Sequence, residues 1–126
     1  MTQTYLEYFK PEEFSCSCGE CGMGYEDMKT MLLSMLNTAR ARAGVPFAVT
    51  SSIRCQKHNE KVGGSLNSAH LRGWAVDIAT PTSQIRHRLV KSALDVGFHR
   101  IGIASTFVHL DCDPSLAGRS MWVYHT

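Results

Sequence analysis

The chain has no long apolar run and no strong excess of charge of either sign. Its 126 residues include 13 Lys and Arg against 11 Asp and Glu, a formal net charge of +2. This balance gives no case for a nucleic-acid partner, although a weakly basic surface is compatible with an anionic polymer. No segment reaches the roughly 20 apolar residues that a membrane-spanning helix needs. We therefore predict no membrane insertion.

Targeting signals, repeats, low-complexity stretches and linkers are also missing. The N-terminus, MTQTYLEYF, lacks the basic segment and apolar core of a signal peptide, so we expect synthesis in the cytoplasm. Hydrophobic residues make up 44% and charged residues 19% of the chain, which is ordinary for a globular domain. We predict a single domain over residues 1–126, and a monomer.

Cysteine is present, but in a pattern that argues against a disulfide framework. Cys16, Cys18 and Cys21 are clustered, whereas Cys55 and Cys112 are isolated. An odd number without a signal peptide favours a reducing compartment. No partner Cys-x-x-Cys pair follows the cluster, so we expect unpaired thiols. A second, structural zinc is the alternative if a fourth ligand joins the cluster.

Hydrophobic periodicity predicts an α+β fold with a mainly antiparallel sheet. Helical intervals predict a helix over about Tyr25–Ala43, ending near Gly44, and another over Thr82–Val96, ending at Gly97. A short helix is predicted over Gln56–Val62, and strands over Phe47–Ser51, Trp74–Ala79, Arg100–Ala104, Phe107–Cys112 and Met121–Tyr124. We favour core and edge packing for Trp122 and Tyr124, and a position flanking a cleft near the sheet edge is the alternative.

The stretch GGSLNSAHLRGWAVDI, which runs from Gly63 to Ile78, places six residues between His70 and Asp77. A further histidine, His109, follows in a short apolar run. Zinc binds His nitrogen and Asp oxygen, and a catalytic site needs three protein ligands and an open position. These three residues would meet that need. As an isolated pair, however, His70 and Asp77 are more simply a surface loop histidine and a buried turn carboxylate, since short motif matches are often false.

The neighbouring residues form a recognisable series. In order, it reads Ser51-Ser-Ile-Arg54, Asn59, Gly63-Gly64, Ser68-Ala-His70, Gly73, Asp77 and Phe107-Val-His109-Leu-Asp111. The series resembles the zinc D-Ala-D-Ala carboxypeptidases of the VanY and VanX type, over about residues 9–124. Their wider superfamily includes the phage peptidoglycan endopeptidases and the hedgehog signalling domain. The resemblance implies a hedgehog/DD-peptidase-like fold with a zinc site on one sheet face.

The same resemblance implies roles for five residues. His70, Asp77 and His109 would bind Zn²⁺, while Arg54 and Ser68 would bind substrate. A planar, permanently charged guanidinium suits a peptide carboxylate or carbonyl, and a hydroxyl adds a hydrogen bond without net charge.

The chain departs from this family where a general base is expected. The positions before His109, residues 103–108, carry no titratable group, and Phe107 stands where some members have a histidine. Asp111 is our candidate for a catalytic role because on a strand it shares a face with His109. It could instead orient a ligand or be a buried structural carboxylate.

Together, these features predict a zinc-dependent peptidoglycan peptidase acting on stem peptides of the bacterial cell wall. It would be a D-Ala-D-Ala carboxypeptidase or an endopeptidase, and the missing signal suits a phage or prophage lysis protein (an endolysin). The alternative is a catalytically impaired, zinc-containing binding module of the same fold. A non-haem iron oxygenase is disfavoured because those enzymes usually place the acid nearer the first histidine, and no Cys/His constellation supports a cysteine protease.

Overall fold

The computed structural model describes residues 6–124, which form a five-stranded sheet and three α-helices. The helices are α1 (Thr30–Ala43), α2 (Gln56–Lys61) and α3 (Ser83–Val96), with 3-10 helices at Pro11–Phe14, Tyr25–Asp27 and Ala69–Arg72. The strands are β1 (Val49–Ser51), β2 (Ala75–Ala79), β3 (Arg100–Ile103), β4 (Phe107–Asp111) and β5 (Ser120–Val123). Residues 1–5, which belong to the segment used for the signal-peptide prediction, lie outside the described residues.

The sheet has the strand order β1-β2-β4-β3-β5. Three neighbouring pairs are antiparallel, and β5 runs parallel to β3. The α+β class is therefore confirmed, with a mixed sheet. Asp77 pairs directly with His109 across β2 and β4, so these two side chains leave the same face of the sheet.

Strand alternation separates the core from the site. Val76 and Ile78 on β2 and Val108 and Leu110 on β4 are fully buried in the hydrophobic core. Because successive side chains of a strand point to opposite faces, Asp77 and His109 leave the face opposite to that core. The amphipathic helices α1 and α3 contribute Leu32, Leu36, Ala39, Leu89 and Ala93 to the core side.

The first main helix is shorter than predicted. It begins at Thr30, because Met28 and Lys29 are extended and the Lys29 N–H donates to the Gly73 carbonyl at 2.9 Å. This tertiary hydrogen bond interrupts the predicted helix. Its end at Gly44, which is left-handed at φ 68°, is as predicted.

The remaining elements agree closely with expectation. The second main helix begins at Ser83, after the Thr82 side chain accepts the N–H of Ile85 as a cap. Strand β5 begins one residue before the predicted start, and the other strands and α2 lie within their predicted ranges. Between residues 6 and 124, no helix has the length and apolar character needed to cross a bilayer.

Candidate metal centre

Two opposing strands and the 3-10 helix before β2 bring three side chains together. Asp77 Oδ1 lies 3.2 Å from His70 Nε2 and 3.0 Å from His109 Nδ1, and one ligand atom from each residue lies within 4.8 Å of the others. All three residues are buried. The structure therefore brings the three predicted metal ligands to one point.

Each imidazole is also fixed by a hydrogen bond at its second ring nitrogen, the one that does not face Asp77. His70 Nδ1 lies 2.7 Å from the Ser52 carbonyl oxygen, which can only accept, so this nitrogen carries a proton. His109 Nε2 lies 2.7 Å from Asp111 Oδ2, an arrangement in which the ring donates to the carboxylate. In neutral rings the inner nitrogens then present lone pairs to Asp77. Three acceptors that face one another need a cation between them, either an added proton or a metal ion.

The donor set fits zinc. Bonds of about 2.0–2.2 Å in tetrahedral geometry separate neighbouring donor atoms by about 3.3–3.6 Å, a little more than the separations of 3.0 Å and 3.2 Å from Asp77 Oδ1. Outer partners of the kind supplied here by Ser52 and Asp111 are usual for metal-binding histidines because they fix the tautomer and the ring orientation.

The electrostatics of this cluster favour negative charge on Asp77. Burial alone would raise its pKa, but hydrogen bonds from His109 and His70 outweigh burial and hold the pKa well below the usual carboxylate value. Burial alone would likewise lower the pKa of His109, yet the hydrogen bonds to Asp111 and Asp77 raise it. Without a metal, the site therefore attracts a proton, as expected of a cation-binding site.

Arg54 is fixed at the edge of the cluster. Its Nε donates to Ser51 Oγ at 3.2 Å and its Nη1 to Asn59 Oδ1 at 3.1 Å, while Nη2 lies 3.5 Å from Asp77 Oδ2. Asn59 can lie this close because residue 64 is a glycine, since a Cβ at that position would collide with the Asn59 side chain. The guanidinium is thus oriented by the protein, with 15% of the side chain still exposed.

Ser68 caps the 3-10 helix that carries His70. Its Oγ accepts the His70 N–H at 3.2 Å, and the residue lines the same cleft as Arg54. The hydroxyl proton is not used by this bond, so the group can also donate to a bound molecule.

Asp111 lies behind His109 and is 1% exposed. Arg100 on β3, its pairing partner across the sheet, places Nε 3.0 Å from Asp111 Oδ1. Both carboxylate oxygens therefore have cationic or imidazole partners. Among the described residues that line the cleft, Asp77 and Asp111 are the only carboxylates.

The cluster opens on a polar cleft of about 800 Å³, a volume typical of small-molecule sites. Trp122 and Tyr124 form part of its wall, and the Trp122 ring lies 5.5 Å from the His109 ring. They approach because residue 102 is a glycine: a Cβ there would lie 2.6 Å from Trp122 Nε1 and 2.8 Å from Tyr124 Cε2. Both aromatics therefore occupy the cleft-flanking position that was the alternative to packing, and a glycine inside a strand is a known sign of such close approach.

Two buried imidazoles and a carboxylate that open on a cleft beside a fixed guanidinium form the arrangement of a metal-dependent hydrolase. The Peptidase M15 family model matches residues 7–111, and the chain belongs to this family. The matched range includes Arg54, Ser68 and the three candidate ligands. A comparison with curated proteins found no match. The family is one of metallopeptidases that are typically zinc-dependent, in agreement with the predicted class.

Proposed function

We propose that the chain is a zinc peptidase that hydrolyses stem peptides of peptidoglycan, within a hedgehog/DD-peptidase-like fold. The observation that carries this proposal is the convergence of His70, Asp77 and His109 within 4.8 Å, at the base of a cleft that Arg54 also lines. A bound zinc ion would polarise the scissile carbonyl and activate water.

Arg54 and Ser68 would bind the peptide. Since Ser51 and Asn59 already orient the guanidinium, little side-chain entropy is lost when it pairs with a substrate carboxylate. A terminal carboxylate, as in a D-Ala-D-Ala end, suits a single fixed arginine. The Ser68 hydroxyl would donate to a substrate carbonyl. Carboxypeptidase action is therefore our first candidate and endopeptidase action our second.

Asp111 would position His109 rather than transfer a proton to or from substrate. Its Oδ2 accepts from His109 Nε2 at 2.7 Å, and Arg100 Nε lies 3.0 Å from its Oδ1, so both carboxylate oxygens are already engaged. A ligand histidine held in this way becomes more basic and keeps one orientation.

Proton transfer then falls to another group on the cleft wall. His58 and Tyr124 are titratable residues of the wall that are not among the proposed ligands. Burial raises the pKa of Tyr124, so its hydroxyl would keep its proton at neutral pH and could donate it to the leaving amine. We propose these two residues as the candidates for acid and base roles.

The proposed place of action is the bacterial cell wall, and a phage or prophage lysis protein is the context we favour. Support for this step comes from the resemblance to cell-wall peptidases and from the formal charge of +2, which does not oppose binding to an anionic wall.

The test is digestion of purified peptidoglycan and of defined muropeptides that end in D-Ala-D-Ala, with products identified by mass spectrometry. We expect release of free D-Ala, or of larger stem fragments if the enzyme is an endopeptidase, and loss of activity with a chelator that zinc restores. His70→Ala should be inactive. His87→Ala, an exposed histidine of α3 outside the cleft, is the matched control and should retain activity. Failure to detect any product, at every zinc loading tried, would contradict the proposal.

A further inference from the structure

A second group of potential metal ligands lies outside the candidate active site. Cys16, Cys18, Cys21 and Cys55 place their sulfur atoms within 4.8 Å of one another, with Cys18 Sγ and Cys55 Sγ 3.9 Å apart. All are free thiols. Four sulfurs around zinc, with bonds of about 2.3 Å in a tetrahedron, lie about 3.8 Å from one another. We propose that these four cysteines form a closed, structural zinc site, distinct from the His70, Asp77 and His109 site.

The backbone around the cysteines is arranged for thiolates. Each of the four sulfurs accepts at least one backbone N–H, at sulfur–nitrogen distances of 3.3–3.4 Å. Cys18 accepts two, from Glu20 and Cys21, and Cys16 accepts the N–H of Cys55. Such donors offset the negative charge that four thiolates would concentrate around one ion. Unmetallated thiols that only fill space would not need this full set of donors.

Cys55 begins helix α2 in a position that other residues usually fill. It is the N-cap residue, and its sulfur accepts the His58 N–H. Ser, Thr, Asp and Asn are the preferred residues at this position because their oxygens are better acceptors than a thiol. A thiolate held by zinc satisfies the cap and also supplies the fourth ligand that the three clustered cysteines lack.

The loop that carries the other three cysteines is built from turns. Gly19 and Gly22, which directly follow Cys18 and Cys21, have φ of 70° and 77°. A Cβ at either glycine would meet nothing within 4 Å, so glycine is required there for the left-handed backbone and not for packing. Residues 15–24 form no helix or strand. Metal coordination would therefore hold a segment that regular secondary structure does not.

This site borders the proposed active site through two cleft residues. Ser17 lies between two of the cysteines, and Arg54 directly precedes Cys55; both line the cleft. The Arg54 N–H donates to the His70 carbonyl at 3.0 Å. The zinc ion would thus fix one rim of the cleft against the candidate active site, and its role would be structural because four thiolates leave no open position.

Metal counting on the complete chain tests the proposal. The chain is purified without a histidine tag and loaded with zinc, and bound metal is measured by mass spectrometry after exhaustive dialysis. We expect two zinc ions per wild-type chain and one per Cys18→Ser/Cys21→Ser chain. The matched control is Cys112→Ala, since Cys112 is buried but is not in the cluster; it should retain two.

A second measurement is independent of the proposed peptidase site and of the folding of the cysteine variant. The His70→Ala chain, loaded with Co²⁺ alone, should show intense thiolate-to-cobalt charge-transfer absorption, because the four cysteines remain. Absence of that absorption from the fully reduced chain would overturn the proposal. Equal zinc content in the wild type and in a folded Cys18→Ser/Cys21→Ser chain would also overturn it. Peptidase activity does not enter either measurement. If the His70, Asp77 and His109 site held no zinc, the counts would fall to one and none, and the difference of one would still support the four-cysteine site.

Discussion

Replacing Asp111 with asparagine should weaken zinc binding at the candidate active site without removing any proposed ligand. The carboxylate accepts from His109 Nε2 at 2.7 Å and is 1% exposed. A hydrogen bond to a charged group contributes about 1.5–3 kcal/mol net, and a neutral one about 0.5–1.5 kcal/mol. Asparagine keeps the shape and one acceptor but loses the charge, so the His109 bond should weaken by about 1–1.5 kcal/mol.

A second contribution comes from Arg100, which loses its anionic partner. Its side chain is 19% exposed, so water compensates in part, and we assign this loss at most about 1 kcal/mol. Together the two effects amount to about 1–2.5 kcal/mol, which predicts a zinc dissociation constant raised about 5- to 70-fold. The assay is competition for zinc with a chromophoric chelator. The cobalt absorption of the four-cysteine site identifies the separate contribution of that site.

Asp113→Asn is the matched control. Asp113 is also 1% exposed and ion-paired, with Arg72 at 2.7 Å, but its side chain hydrogen-bonds to Ser115 and not to either histidine. The Asp113→Asn substitution should lower the free energy of unfolding and leave the zinc affinity unchanged. If Asp111→Asn kept full zinc affinity and lost turnover, the positioning role would be refuted and a direct role on substrate would replace it.

Three further predictions concern substrate binding, the cleft wall and pH. Arg54→Lys should raise KM about 10- to 100-fold with unchanged zinc content, because lysine cannot keep the oriented charge-assisted bonds; Arg86→Lys outside the cleft is the control, and unchanged kinetics would contradict the substrate role. Gly102→Ala should displace Trp122 and Tyr124, changing the near-ultraviolet circular dichroism and lowering activity; an unchanged spectrum would contradict the close approach. In the metal-free chain, the raised pKa of His109 contributes stability that is present below the ordinary imidazole pKa and is lost as pH rises through the raised value. The lowered pKa of Asp77 contributes stability that is lost only in acid. Thermal unfolding should therefore show zinc stabilising the chain more at about pH 8 than at about pH 6, since protons compete for the ligands; the opposite trend would refute the assignment.

The relative placement of His70 and Asp77 was predictable from sequence because it is local. His70 precedes strand β2, and the alternation of β2 puts Asp77 on the face opposite Val76 and Ile78. The third ligand required the resemblance, since nothing in the spacing alone says that β4 pairs with β2 so that His109 lies opposite Asp77. Their roles as ligands stay a prediction until metal is measured.

Features that depend on contacts between distant segments were not predictable. The start of α1 is set by a hydrogen bond between Lys29 and Gly73, and no helix propensity encodes it. The partner of Asp111 is Arg100 because β3 pairs with β4. A cleft position for Trp122 was only the alternative to packing, because it depends on β5 running parallel to β3 and on the room that Gly102 leaves.

The grouping of the four cysteines could not be predicted from spacing alone. No second Cys-x-x-Cys pair follows Cys18 and Cys21 along the chain. The fourth sulfur comes from an isolated cysteine, Cys55, at the start of α2. An unusual residue in a capping position was the available local signal.

The order of residues 54 and 55 explains how the two sites would act together. The Arg54 N–H binds the His70 carbonyl, and the next N–H, that of Cys55, binds Cys16 Sγ at 3.4 Å. Two consecutive peptide groups therefore connect residues 54 and 55 to the candidate active site on one side and to the cysteine site on the other. Since the peptide bond is planar, a shift of the cysteine loop would tilt the Arg54 backbone and move its guanidinium relative to Asp77. The orientation of the proposed substrate-binding arginine would thus depend on both proposed sites, although it would coordinate no metal at either.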